Sequence, residues 1–270
     1  MTATDEETLR FGVLGTLEVR RGSRSCVPSA LKPRLLLAAL LVCEGRVVSV
    51  AELVGAVWGE RPPRTAGTAL QVYVSQLRRL LGAGDGARAC ALRTRAPGYA
   101  LALGPGARLD SADFESRCAR ADDARARGRL EEASALLDEA LALWRAPALA
   151  DVRTGPLLEP AAWRLDEARM LAVEQRVDIG LERGRHARLT VELAALAAEH
   201  PLRENLQRQL LLALYRSGRP ADALRHYARF RDRLHEELGL EPGPSLQRLH
   251  LAILRRDPAL EPPCGDRVTA

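Results

Sequence analysis

The sequence predicts a mainly α-helical protein with a small β component, in two parts of different architecture. Three observations lead there. The first 105 or so residues alternate short strand-like segments with three helical stretches and close on a hairpin. From Ser111 onward strand signals give way to successive amphipathic helices, and three helical junctions share a Gly-Arg pair. A chain of 270 residues with 47% apolar content accommodates two domains, each with a real core.

The elements follow in order. FGVLGTLEVRRGS places Phe11, Val13, Leu17 and Val19 in alternation around Gly15 and ends in a Gly22-Ser23 turn, the pattern of short antiparallel strands. LKPRLLLAALLVCEGR reads as an apolar helix from about Pro33 to Glu44, stopped by Gly45. Val47 to Ser49 is a brief strand, and Ser49 is placed to cap a helix, VAELVGAVWG, that packs through Leu53, Val54 and Val57. ERPPR is incompatible with a helix interior and forces a loop. TALQVYVSQLRRLLG is the third helix, and CALRTRAPGYALAL gives two strands around Pro97-Gly98, a turn of the type that needs positive φ at Gly98. Strands, three helices and a terminal hairpin make a winged helix.

Spacing on the third helix puts Ala66, Leu70, Tyr73, Leu77 and Leu80 on a core side and Thr68, Gln71, Val72, Ser75, Arg78 and Arg79 opposite. That outer face holds no carboxylate, and hydroxyl, amide and guanidinium groups suit base edges and phosphates. Arg93 and Arg95 lie two apart on a strand and leave one face of the hairpin, so two positive elements converge in one domain. Charge agrees: residues 1 to 110 carry 15 Lys+Arg against 9 Asp+Glu, and residues 111 to 270 carry 25 against 26. In a winged helix the third helix enters the major groove and the hairpin approaches the backbone or the minor groove. Gln71, Ser75 and Arg79 are therefore expected at base edges, with Thr68 and Val72 beside them, and Arg78, Arg93 and Arg95 at phosphates. The wing site also includes Thr94 and Tyr99; Tyr99 either buttresses the hairpin or touches a phosphate.

In the second part, ARGRLEEASALLDEALALW, ERGRHARLTVELAALAAEHP and RSGRPADALRHYARFRDRL each turn through Gly-Arg, at Gly128, Gly184 and Gly218. The last two are 34 residues apart, the period of tetratricopeptide repeats, while an insertion stretches the first spacing to 56. This predicts an irregular solenoid of helical pairs with a groove for peptides or proteins, and a long helix from about Ala161 to Leu181. The sequence divides into 1–108, 109–257 and a tail, 258–270, expected to be disordered.

Catalytic and metal chemistry is not assembled. The five cysteines form no CxxC pair, the five histidines all lie in the helical part without ligand spacing, and no nucleophile elbow or phosphate loop occurs. No cofactor is expected. The longest apolar run, Leu35 to Cys43, is too short to span a bilayer, and there is no basic-then-apolar leader, so a cytoplasmic, nucleoid-associated protein without membrane partners is expected.

FGVLGTLEVRRG, LLLAALLVCEGRVVSVAELVGAVWGERPPRTAGTALQVYVSQLRRLLG and LRTRAPGYALAL closely resemble the N-terminal domain of the Streptomyces antibiotic regulatory proteins, whose DNA-binding domain is similar to that of OmpR-type response regulators. HEELGLEPGPSLQRLHLAIL and the helices before it resemble the bacterial transcriptional activation domain that accompanies it. The resemblance implies an activator of a secondary-metabolite gene cluster that binds promoter direct repeats as a homodimer or as tandem protomers. It also implies contact with RNA polymerase, for which the loop containing Glu60 and Arg61 is positioned; a plain connector is the other reading of that loop. One departure is local: many relatives carry Arg-Asn where this chain has Gly67 and Thr68, and Gly67 offers DNA no side chain. A repressor built from the same domains, and a repeat-based scaffold for proteins, are the rival readings.

Overall fold

The computed structural model describes residues 9–82 and 90–261. By compactness the chain forms two units: residues up to Arg120 with Asp138–Met170, and Ala121–Leu137 with Leu171 onward.

In the first unit, strands β1 (Leu9–Gly12), β2 (Glu18–Arg21) and β3 (Arg24–Ser25) form an antiparallel meander. Gly22 takes positive φ at the expected turn. Helix α1 (Leu31–Val42) buries Leu35 through Leu41, leaving few polar positions to show periodicity. Strand β4 (Val47–Ser49) leads into α2 (Val50–Trp58), where Ser49 Oγ accepts from Glu52 N and Glu52 Oε2 accepts from Ser49 N. This reciprocal cap satisfies two backbone N–H groups at the start of the helix. On α2 the buried set is Leu53, Ala56 and Val57, with Val54 only half-buried. Helix α3 (Ala66–Gly82) follows, then the hairpin β5 (Cys90–Arg95) and β6 (Gly98–Leu103), which forms a second sheet in the order β4-β6-β5. Leu36, Leu40, Leu53, Leu70, Leu77 and Leu101, all but inaccessible, make the core of helices and wing.

The wing turn differs from expectation. Gly98 does not take positive φ. It lies in β6 opposite Ser49 and Arg95, and a Cβ there would come within 1.9 Å of the Val48 carbonyl oxygen. Glycine is required for close strand approach, not for turn handedness.

Strand β7 (Ala107–Leu109) has no counterpart in the predicted elements: it pairs in parallel with β1, completing the order β3-β2-β1-β7. It delivers Asp110, the first residue of α4 (Asp110–Ala126), to the loop after β1. There Asp110 accepts from Val13 N (2.8 Å) and Leu14 N (3.1 Å) and pairs with Arg145 (3.0 Å). Burial pushes the Asp110 carboxyl up, against the opposing pull of those two N–H groups and of Arg145. Residues 145 to 151 lie along the same loop: Arg145 N donates to Leu14 O, Leu149 N to Val13 O and Ala150 N to Gly15 O. Asp151 accepts from Leu17 N (2.7 Å) and pairs with Arg34 of α1. Leu149 is fully buried with φ of 54°, a left-handed conformation costly for leucine that this docking holds in place.

The second unit contains the three Gly-Arg junctions, within α4–α5 (Leu130–Leu141), α6 (Gly155–Glu182)–α7 (His186–Glu199) and α8 (Glu204–Arg216)–α9 (Pro220–Leu238). Gly128, Gly184 and Gly218 all have φ of 73–74°. In each, the following arginine N–H reaches back five residues: Arg129 to Ala124, Arg185 to Gly180 and Arg219 to Leu214. One helix-ending device thus recurs three times, with glycine where the left-handed residue is needed. Helix α6 begins six residues before its expected start, with Pro160 inside it; Pro160 is exposed near the N-terminus and removes a single backbone bond. Helices α6 and α8 share a polar seam in which Glu174, 7% exposed, accepts from Arg203 and Asn205. Gln209 donates to Glu174 O and to Asp178 in the same seam. Helix α10 (Pro244–Arg255) closes the array. The predicted disordered tail is ordered at its start: Pro258–Leu260 forms a 3-10 turn whose Leu260 carbonyl accepts from Arg216 Nε. The rest of that segment, including Cys264, lies outside the described residues. Among the described residues no helix is long and apolar enough to cross a membrane.

His186, His226 and His250 are all held below the ordinary histidine value of 6.5, first by burial and second by Arg216, Arg229 and Arg231 respectively. The unfolded chain therefore binds more protons as pH falls below about 6.5, and stability is lost in that direction. Urea titrations followed by helical circular dichroism should show a lower midpoint at about pH 5.5 than at about pH 7.5, a difference that shrinks in His226→Asn. A midpoint that rises on acidification would contradict this.

Candidate nucleic-acid interface

The helix that carries the expected base-reading residues is amphipathic in the predicted sense but rotated. Its buried residues are Ala66, Leu70, Val74, Leu77 and Leu81, whereas Tyr73 and Leu80, expected in the core, are half-buried on one margin. Tyr73 stacks on Trp58 of α2 with centroids 6.0 Å apart, and Lys32 Nζ lies 5.3 Å from the same indole. At 100° per residue the centre of the buried arc then points directly away from Arg79, with Thr68, Val72 and Ser75 flanking Arg79 and with Gln71 and Arg78 at the edge. All six outer residues are exposed.

Position at the edge decides what Arg78 does. Its Nε donates to Leu92 O (2.9 Å), its Nη2 donates to Thr94 Oγ1 (2.8 Å), and its guanidinium sits 6.0 Å from the Tyr99 ring. Arg78 fastens the wing to the helix, a role the expected phosphate contact did not include. Tyr99, left open by the sequence, is 8% exposed and buttresses this junction. It is not an outward wing contact. Thr94 shares the strand face of Leu92 toward α3, so Arg93 and Arg95 occupy the opposite face, exposed and paired in register with Ala100 and Gly98.

Side chains on the outer surface differ in their freedom. Ser75 Oγ donates to the Gln71 carbonyl one turn back (2.9 Å), which leaves its lone pairs outward. Among the described residues, Gln71, Arg79, Arg93 and Arg95 have no side-chain hydrogen bond or ion pair within the chain. Val72 is 50% exposed, an apolar spot among polar neighbours. Exposed Arg64, two residues before α3, adds a positive charge that sequence reasoning passed over because it sits in the proline loop. Glu60 and Arg61, in the loop after Gly59 ends α2 with positive φ, are exposed as well. Arginines with free donors on a helix and on the wing beside it, joined by a fourth arginine, form a surface for a polyanion with base-reading groups at its centre.

Residues 27–101 match the family described as "Transcriptional regulatory protein, C terminal", and residues 109–254 match "Bacterial transcriptional activator domain". The chain is 41% identical to the regulatory protein DnrI of Streptomyces peucetius over 94% of each. It is 44% identical to the regulatory protein AfsR of Streptomyces coelicolor over 96% of its own length, though it spans only 26% of that longer protein. The solved structure of Mycobacterium tuberculosis EmbR, in complex with a low-affinity phosphopeptide, superposes with a TM-score of 0.86 at 37% identity, covering 96% of this chain and 67% of that one. With both family models placed side by side along most of its length, and a relative matched almost end to end, the chain belongs to the Streptomyces antibiotic regulatory proteins, a family of DNA-binding transcriptional regulators.

Proposed function

We propose that the protein is a sequence-specific transcriptional activator that reads promoter DNA with α3 and steadies itself with the β5–β6 wing. The observation that carries this reading is the acid-free outer face of α3, Arg79 at its centre, joined by Arg78 to a wing bearing Arg93 and Arg95. Arg79, Gln71 and Ser75 meet base edges, with Val72 available to a thymine methyl group, while Arg93, Arg95 and Arg64 neutralise phosphates. Two protomers occupy direct repeats spaced by about one helical turn. RNA polymerase is met by the exposed Glu60-Arg61 loop, and family membership supports a secondary-metabolite gene cluster as the target.

Footprinting on the promoters next to the gene, across a salt series, tests the reading. Each phosphate contact should cost about 3.5-fold in affinity for a fourfold rise in salt. Arg93→Ala should lower the log–log salt slope by about one while leaving the protected sequence unchanged. Binding that is indifferent to salt would favour the scaffold reading instead.

A further inference from the structure

Within the second unit, a cleft of about 290 Å³ opens between α7, α8 and α9. Its floor is made of small residues including Ala197, and its wall is the face of α9 that carries His226, Arg229, Phe230 and Arg233. Among the described residues no acidic side chain lines it. Elsewhere in the unit several arginines face a carboxylate, Arg208 at Asp178, Arg219 at Asp222 and Arg183 at Glu131. Arg229 is exposed and has no side-chain partner within the described residues, and Arg233 reaches only Glu237, on its own helix, at 3.7 Å.

The back of the cleft is fixed. Gln207, 2% exposed, donates from Nε2 to the carbonyls of Ala197 (3.2 Å) and Pro201 (3.1 Å), so its Oε1 is the atom that faces His226 Nε2 at 2.7 Å. His226 must donate that bond, which fixes its ring. The cleft on the first unit that includes Arg10 and Arg145 is different: Glu18 and Asp110 in its lining already pair with Arg145. In the second-unit cleft, by contrast, no lining residue is a carboxylate, and among the described residues Arg229 has no ion pair.

We infer that this cleft binds a carboxylate-bearing ligand, held by Arg229 and Arg233 against Phe230. A guanidinium fork matches a planar carboxylate in two parallel hydrogen bonds. The volume, at the low end of ligand sites, takes one or two acidic side chains of a peptide or a small dicarboxylic acid. The apolar ring beside the arginines suits the methylenes of such a group better than the fully polar shell of phosphate. Occupancy would give the helical domain a chemical input separate from its DNA-reading surface.

The test uses the full chain and three probes: a fluorescein-labelled hexapeptide of alternating Glu and Ala, the same peptide with Gln for Glu, and succinate. Anisotropy should show saturable binding of the acidic peptide, or calorimetry of succinate, whichever source the cleft takes, and none of the Gln peptide. Arg229→Glu and Arg233→Glu should each weaken that binding by about tenfold or more. Arg248→Glu, an equal change of charge on exposed α10, should not, and thermal melts should confirm that all variants fold. The inference is overturned if neither acid binds, if Arg248→Glu weakens binding as much, or if inorganic phosphate competes as well as succinate.

Discussion

Arg79→Ala is expected to abolish sequence-selective protection of promoter DNA while the protein stays folded. Arg79 lies diametrically opposite the buried arc of α3, is exposed, and among the described residues makes no side-chain hydrogen bond or ion pair that its removal would break. A bidentate arginine–guanine pair is worth roughly 1–3 kcal/mol of discrimination, about 5- to 150-fold for each protomer. Two protomers on tandem repeats double that free energy, which lifts the loss beyond the range where a footprint survives. Binding to unrelated duplex should fall far less, since only one of several positive charges is gone. Circular dichroism and the melting temperature should match wild type. A variant that still protects the same repeats would show that α3 does not read the groove, and the family's recognition element would have to be sought on the wing.

Much of this surface was legible in the sequence, because a helix face is a local property. The strand, helix, strand, helix order, the Ser49 cap and the three Gly-Arg junctions all rest on residues within a few positions of one another, where spacing and capping chemistry suffice. What escaped depends on partners far along the chain. Arg78 could be placed on α3 but not assigned to the wing, because its bonds run 14 and 16 residues onward to Leu92 and Thr94. The rotation that moved Tyr73 and Leu80 to the margin was set by Trp58 and by which arc the other helices cover, not by apolar spacing. Gly98 was read as a turn residue because Pro-Gly is a turn signal; its actual constraint, the nearby Val48 carbonyl, lies on a strand 50 residues earlier. Strand β7 is three residues long, too short for any alternation to register. The carboxylates that bind the loop after β1 gave no signal at all, since an acceptor of backbone N–H groups needs no complementary side chain in the sequence.

Those carboxylates carry the largest expected effect on stability. The family boundary at residue 109 falls one position before Asp110, yet Asp110, Arg145 and Asp151 all lie in the compact unit that holds the DNA-reading helix. Asp110→Ala leaves the N–H groups of Val13 and Leu14 without their acceptor, in residues that are themselves 1% and 0% exposed, and strips Arg145 of its shorter ion pair. Each unsatisfied buried donor costs about 1–3 kcal/mol, while the ion pair, screened because the Arg145 side chain is 36% exposed, adds about 1 kcal/mol at most. These overlap, so a loss of about 2–5 kcal/mol is expected in urea denaturation of the full chain. Asp110→Asn keeps one acceptor oxygen and should fall between. A loss of that size approaches the whole stability of many domains, so a fragment ending at residue 108, which lacks all three side chains, should be markedly less stable than the same residues within the chain. If Asp110→Ala denatures like wild type, the bonds to Val13 and Leu14 are replaced by water at no cost, and the winged helix is an independent module joined to its neighbour by sequence alone.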